Sequence, residues 1–296
     1  MPDFGNSEKR MLSYFKSGTK VHHDGLDLVV KEAGKPTCPK GEPKTDIYIL
    51  LTDGSNDIEI KISYKKENAD FLENKTNAVR AEQLFGDDWR DVIEQSTEAI
   101  SDQFGKRMLI YKEKLKRTEK GAITLGWKFE LLNKPGGDLS GKMDLSYQQV
   151  YDVYAGTNLS KEKRNATVNG RIIPNSGVAD YLLVIDKEKI DSAQDIIDKM
   201  WSIDEYIKDH PDIYFACKAL NYRTFAKKYD GNRPLAVQVD WSVNDDKLKS
   251  ELIFDRPLEM NGDEMAKRLL KSLEFLRIKT TDDIDEDNAD MNNVNG

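Results

Sequence analysis

The chain has 296 residues, with 33% charged and 38% hydrophobic side chains and a formal net charge of −8. No run approaches the ~20 apolar residues of a membrane span, and 9% aromatics argue against wholesale disorder. The start, MPDFGNSEKRMLSYF, lacks the apolar core of a secretion signal, which predicts a cytoplasmic chain.

Two cysteines, Cys38 and Cys217, stand far apart and neither belongs to a CxxC, so a disulfide framework and a zinc ribbon are excluded. The net charge is concentrated at the end. Residues 280–296 hold six acids and no lysine or arginine, and the remainder carries 45 basic and 47 acidic side chains. Binding of a polyanion would therefore depend on local patches. The acidic, Asn-rich segment 280–296 reads as a disordered tail on a single body, 1–279, with an insertion around 120–177.

In chain order, residues 7–17 predict a short amphipathic helix, and Leu26–Val30 a strand. A Pro/Gly-rich loop, 34–45, leads into the clearest local signal: a β-hairpin from Asp46–Leu51 and Asp57–Tyr64. Ile47, Ile49 and Leu51 share a face with Ile58, Ile60, Ile62 and Tyr64. The opposite face carries Lys44, Asp46, Tyr48, Glu59, Lys61 and Ser63. With Asp53-Gly54 at the turn centre, Asp46 would lie across from Lys61, with Glu59 on the diagonal.

Residues 67–86 are polar and partly helical, and Asp87–Lys116 reads as a long helix with a basic end. Strand-like runs follow at Ala122–Leu132, then a loop at 133–142. Further strands are expected at Ala179–Ile185 and Ile213–Leu220, with a helix between them at Ser192–Asp209. A second hairpin, Leu235–Val243 with Leu248–Phe254, precedes a last helix, Gly262–Phe275. The loop Gly136–Lys142 mimics a phosphate-binding loop, but Met143 stands where a Mg2+-binding hydroxyl would be needed. His22, His23 and His210 suggest no zinc site and no nucleophile–histidine pair.

Two carboxylates and a lysine on one sheet face can hold a hard cation and neutralise a phosphorane. The same pattern also serves as an ordinary solvated sheet face. The strings Lys44-Thr45-Asp46 and Glu59-Ile60-Lys61-Ile62-Ser63-Tyr64-Lys65-Lys66 resemble the PD-(D/E)XK nuclease superfamily, restriction-enzyme-like members included. Thr45 replaces the proline that names it. The resemblance covers residues 7–110 and is sharp only over 44–66. It implies an α/β fold with a mixed central β-sheet flanked by helices. It also implies a Mg2+-dependent DNA endonuclease in which Asp46 and Glu59 bind the metal and Lys61 is the catalytic lysine. Ser63, Lys65 and Lys66 would lie near the DNA backbone, and some members add an acid from the first helix, for which Glu8 is available.

Lys44 is a further candidate phosphate contact. So are Arg223, Lys227 and Lys228 in the basic segment 218–233, whose interleaved Tyr222, Phe225 and Tyr229 could stack on bases or pack inward. Double-strand cleavage would suit a homodimer. The alternatives are a non-catalytic DNA- or protein-binding protein on the same scaffold, and a junction or repair nuclease.

Overall fold

The computed structural model describes residues 4–67, 71–186 and 189–296. Residues 68–70 of the expected polar segment 67–86 lie outside them. In chain order the elements begin with α1 (Phe4–Leu12), β1 (Lys20–His23), β2 (Leu26–Gly34), β3 (Ile47–Thr52), β4 (Asp57–Lys65) and β5 (Phe71–Glu73). Then come α2 (Ala78–Phe85), α3 (Trp89–Glu98), α4 (Ser101–Gly105), β6 (Ile110–Tyr111), β7 (Ala122–Leu132) and β8 (Ser140–Lys142). They are followed by α5 (Tyr147–Ala155), α6 (Lys161–Arg164), β9 (Thr167–Val168), β10 (Arg171–Ile172) and β11 (Tyr181–Val184). The next are α7 (Ala193–Lys199), β12 (Trp201–Ser202) and α8 (Ile203–Asp209). The last are β13 (Tyr214–Arg223), β14 (Lys228–Tyr229), β15 (Val237–Asn244), β16 (Lys247–Ile253), α9 (Gly262–Phe275) and β17 (Val294–Asn295). The class is mixed α/β, as the sequence leads one to expect. Among the described residues no helix is long and apolar enough to cross a membrane.

The chain forms two compact units where the sequence suggests one body. The first comprises Met1–Ala69, Gln83–Gly86 and Leu145–Pro211. The second comprises Asp70–Glu82, Asp87–Asp144 and Asp212–Gly296. The expected insertion at 120–177 is thus no separate element. Its first part is a central strand of the second unit, and its last part belongs to the first.

The first unit is built on a six-stranded sheet in the order β1-β2-β3-β4-β11-β12. Strands β1 to β4 form an antiparallel meander, and β11 joins β4 in parallel. The aliphatic face of the hairpin is the core. Ile47, Ile49, Leu51, Ile60 and Ile62 pack with Met11 and Phe15 from the N-terminal region and Ile196 and Ile197 from α7. Alternation on β3 and β4 puts every aliphatic residue but Leu50 on this one face, and its removal from water holds α1 and α7 down. The expected helix 192–209 is two helices. Ser202 accepts from the Glu205 amide and starts α8 afresh after the short strand β12.

The second unit is an antiparallel sheet in the order β14-β13-β7-β15-β16, with β5 and β6 also paired to β7 and β8 to β13. Phe104 lies edge-on to Trp127 and Phe254, and Phe129 stacks on Phe215 at 5.3 Å. The amphipathic helix α9 buries Met265, Ala266, Leu269 and Leu273. The expected long helix 87–116 breaks after Glu98, and its last part becomes β6 and a connection to β7.

Where composition suggests a disordered tail, residues 280–296 are ordered. Ile284 and Ala289 are buried, and β17 pairs in parallel with β6. The acids and asparagines bond the segment's own backbone. Asp283 accepts from the Lys279 and Thr280 amides, Asp285 from the Asp287 amide, and Asp290 from the Asn292 amide.

Candidate functional site

The hairpin has the predicted faces but a different register. Ile47 pairs with Ile62, and Tyr48, not Asp46, stands across from Lys61. Asp46 lies one residue beyond the last rung, Ile47–Ile62. The loop spans four residues because the Asp53 carboxylate accepts the Ser55 and Asn56 amides, while Thr52 and Asp57 close the ladder. A shift of a whole pair keeps every side chain on its face and moves the neighbours.

Asp46 is set by the chain that enters β3. The Lys44 and Thr45 amides both donate to the Gly177 carbonyl, at 2.9 and 3.2 Å. Residue 177 has no room for a side chain, since a Cβ would come within 1.9 Å of the Lys163 carbonyl. The Asp46 amide donates to Ile62 O at 2.9 Å, and its Oδ2 accepts the Tyr64 amide at 2.7 Å. Burial pushes the Asp46 carboxyl up to about 6, and the Glu8 charge adds to this against the pull of Lys65, the Tyr64 amide and Lys35. Glu8, three residues before the core residue Met11, forms an ion pair with Lys35 just past β2. Lys35 is held above the usual lysine value. Its burial works against this, but is outweighed by Glu8 with the fields of Glu42 and Asp46. Glu8, Lys35, Asp46 and Lys65 therefore form one electrostatic cluster.

Glu59 and Lys61 do not join it. Glu59 stands across from Leu50, four residues along the chain from Asp46, roughly 13 Å at a strand's rise per residue. It accepts the Tyr48 hydroxyl at 2.9 Å. Lys61 pairs with Asp180 at 3.2 Å and reaches the Asn175 carbonyl at 3.5 Å. Burial raises the Asp180 pKa, Lys61 lowers it and Glu59 raises it. Asp46 and Glu59 thus stand too far apart to share one cation.

The expected backbone contacts also separate. Ser63 is fully buried, and its hydroxyl, like that of Thr45, has no hydrogen-bond partner among the described residues. Lys44 is buried, its stem against Gly156 at the αL cap of α5. Neither presents itself to a polymer. Lys65 and Lys66 are half-buried at the end of β4. Arg223, Lys227 and Lys228 belong to the second unit, where Arg223 is paired with Asp230 at 2.6 Å while Lys227 and Lys228 are exposed. Of the interleaved aromatics, Tyr222 packs inward and Phe225 and Tyr229 point out.

Lys35 escaped the sequence reading. Its signal was position: it follows β2, the strand beside the β3 that Asp46 leads into, in a Gly-Lys-Pro where pairing ends. Among the described residues no group of three or more His, Cys, Asp or Glu is placed to hold a metal. The cluster offers two carboxylates, Glu8 and Asp46. Such a pair suits Mg2+, which keeps several waters and takes one or two protein carboxylates. No protein-family model, curated protein or solved structure matches the chain.

Proposed function

We propose that the chain is a Mg2+-dependent DNA endonuclease of the restriction-enzyme-like kind, with Asp46 and Glu8 as the metal-binding carboxylates and Lys65 as the catalytic lysine. The observation that carries this reading is the cluster at the end of the hairpin, where Asp46 feels Glu8, Lys35 and Lys65 together. It lies on a mixed sheet flanked by helices, the class of fold that the resemblance implies. The site keeps the string Lys44-Thr45-Asp46 and uses Ser63-Tyr64-Lys65 in place of Glu59-Ile60-Lys61.

A divalent cation there supplies a Lewis acid for a phosphoryl oxygen. The chain's own groups do the rest. Asp46 is fixed by the Tyr64 amide, so the carboxylate needs little reorganisation. Lys65 lies on the strand face of Asp46 and brings positive charge to the phosphate as it gains negative charge. Lys35 holds the Glu8 carboxylate. Glu59 and Lys61 keep a structural role on the face above Tyr48.

Cleavage of supercoiled, linear, single-stranded and branched DNA, with Mg2+ and with EDTA, tests the reading. Metal-dependent cutting that disappears in Asp46→Asn and Lys65→Ala supports it. Absence of cutting on all four substrates overturns it in favour of a non-catalytic binding protein. The branched substrate separates a junction nuclease from a restriction-like enzyme, and mass in solution tests the homodimer.

A further inference from the structure

The two basic segments of the sequence, 112–120 and 218–233, come together at one end of the second unit's sheet. Strand β13 pairs with β7 so that Arg223 lies beside Ala122. The Thr224 amide and hydroxyl both donate to the Gly121 carbonyl, at 2.8 and 3.0 Å. The β6–β7 and β13–β14 connections are thereby tied side by side.

Phe225 sits on this junction. Its ring abuts Gly121, whose φ is +85° and where a Cβ would come within 2.2 Å of the ring. The Lys120 ammonium stands 5.7 Å from the ring centroid. The ring is held by these contacts and is still 50% exposed, and Tyr229 nearby in sequence is 41% exposed. An aromatic that is fixed and yet solvent-facing loses little conformational freedom when another ring stacks on it.

The charges around it are uneven. Lys114 pairs with Glu119, Lys120 with Asp282, and Arg223 with Asp230. Arg117, Lys227 and Lys228 are exposed and have no ion-pair partner among the described residues. An acidic protein surface would satisfy the cations but would leave the two rings in water. A nucleic acid with unpaired bases satisfies both, since its phosphates meet the cations and its bases offer π-faces. Bases in a closed duplex are stacked on one another and cannot reach a ring raised from the surface.

We infer that this end of the second unit binds single-stranded or locally unpaired nucleic acid, with a base stacked on Phe225 and phosphates on Lys227 and Lys228. The inference deepens the reading of the chain as a DNA enzyme by naming the form of DNA it grips, and it is tested without cleavage. Fluorescence anisotropy in EDTA would compare a labelled 20-mer of thymidylate with a 20-base-pair duplex. The 20-mer should bind tighter. Phe225→Ala should weaken it about 10-fold or more, within the range of single-base stacking, and Phe225→Trp should restore it. Replacing both Lys227 and Lys228 by Gln should reduce the salt slope by about 1.4.

Equal affinity for both ligands with no loss in Phe225→Ala would overturn the inference, as would displacement of the 20-mer by polyglutamate at matched charge. Failure of every variant and the wild type to bind would overturn it too. Asp46→Asn should bind the 20-mer as the wild type does. Its cleavage behaviour then tests the catalytic reading separately: normal cutting by Asp46→Asn sinks that reading alone, and normal binding by Phe225→Ala sinks this one alone.

Discussion

The Asp46 carboxylate accepts the Tyr64 amide at 2.7 Å, while Lys61 stands across from Tyr48. This register decides which lysine serves the carboxylate. It brings Lys65 to Asp46 and hands Lys61 to Asp180.

Cleavage by point variants separates the two assignments. Asp46→Asn, Glu8→Gln and Lys65→Ala should each lower the rate about 100-fold or more, the usual cost of losing one charge-stabilising group. Glu59→Gln and Lys61→Ala should stay within about 5-fold of wild type. A collapse of activity in Lys61→Ala with a folded protein would return the lysine role to the acid-x-lysine string.

The buried carboxylate makes a pH signature. Its folded pKa, about 6, lies above the ordinary 3.8 of an unfolded aspartate. The native state therefore holds the proton longer, and this group's contribution to stability falls as pH rises from about 4 to 6. In EDTA, denaturant melts of wild type and Asp46→Asn should coincide near pH 4. Well above pH 6 the variant should be more stable, by about 3 kcal/mol. A gap independent of pH would show that Asp46 is not the strained group.

Metal should reverse that penalty. At pH 7.5, a few millimolar Mg2+ should raise the melting temperature of the wild type and leave Asp46→Asn and Glu8→Gln unmoved. Equal shifts in all three proteins would place metal binding elsewhere.

The C-terminal segment should behave as part of the core. Ile284 is fully buried, so Ile284→Ala should cost about 2–4 kcal/mol. Removal of residues 280–296 should destabilise the protein further and expose β6, the partner of β17. Stability unchanged by the deletion would restore the tail expected from composition.

The hairpin was legible because apolar and polar residues alternate along it and its apolar face has seven members, six of them aliphatic. Its register was not. Asp53 builds a four-residue loop by bonding two amides, and a side-chain bond of that kind leaves no mark on the hydrophobic pattern. The hairpin at β15–β16 and the helix α9 were legible for the same reason of short-range periodicity. The two units were not, because the pairing of β7 with β13 joins residues some ninety positions apart. The tail was misread because aspartates and asparagines that cap turns have the same composition as those that stay in water. Glu8 was within reach of the sequence as a helix acid, but only the docking of Met11 and Phe15 brings it to Asp46.

The parallel pairing of β4 with β11 has a consequence for synthesis on the ribosome. Ile62 has Tyr181 as its neighbour, so the strand that carries Ser63 and Lys65 keeps one open edge until more than a hundred further residues have emerged. In that interval the chain also lays down part of the other unit. A nascent or truncated product ending before Tyr181 presents unpaired amides and carbonyls along β4, a template for pairing with another chain. Expression of an N-terminal fragment that ends before Tyr181 should therefore yield aggregates, whereas the full chain closes the edge with its own strand.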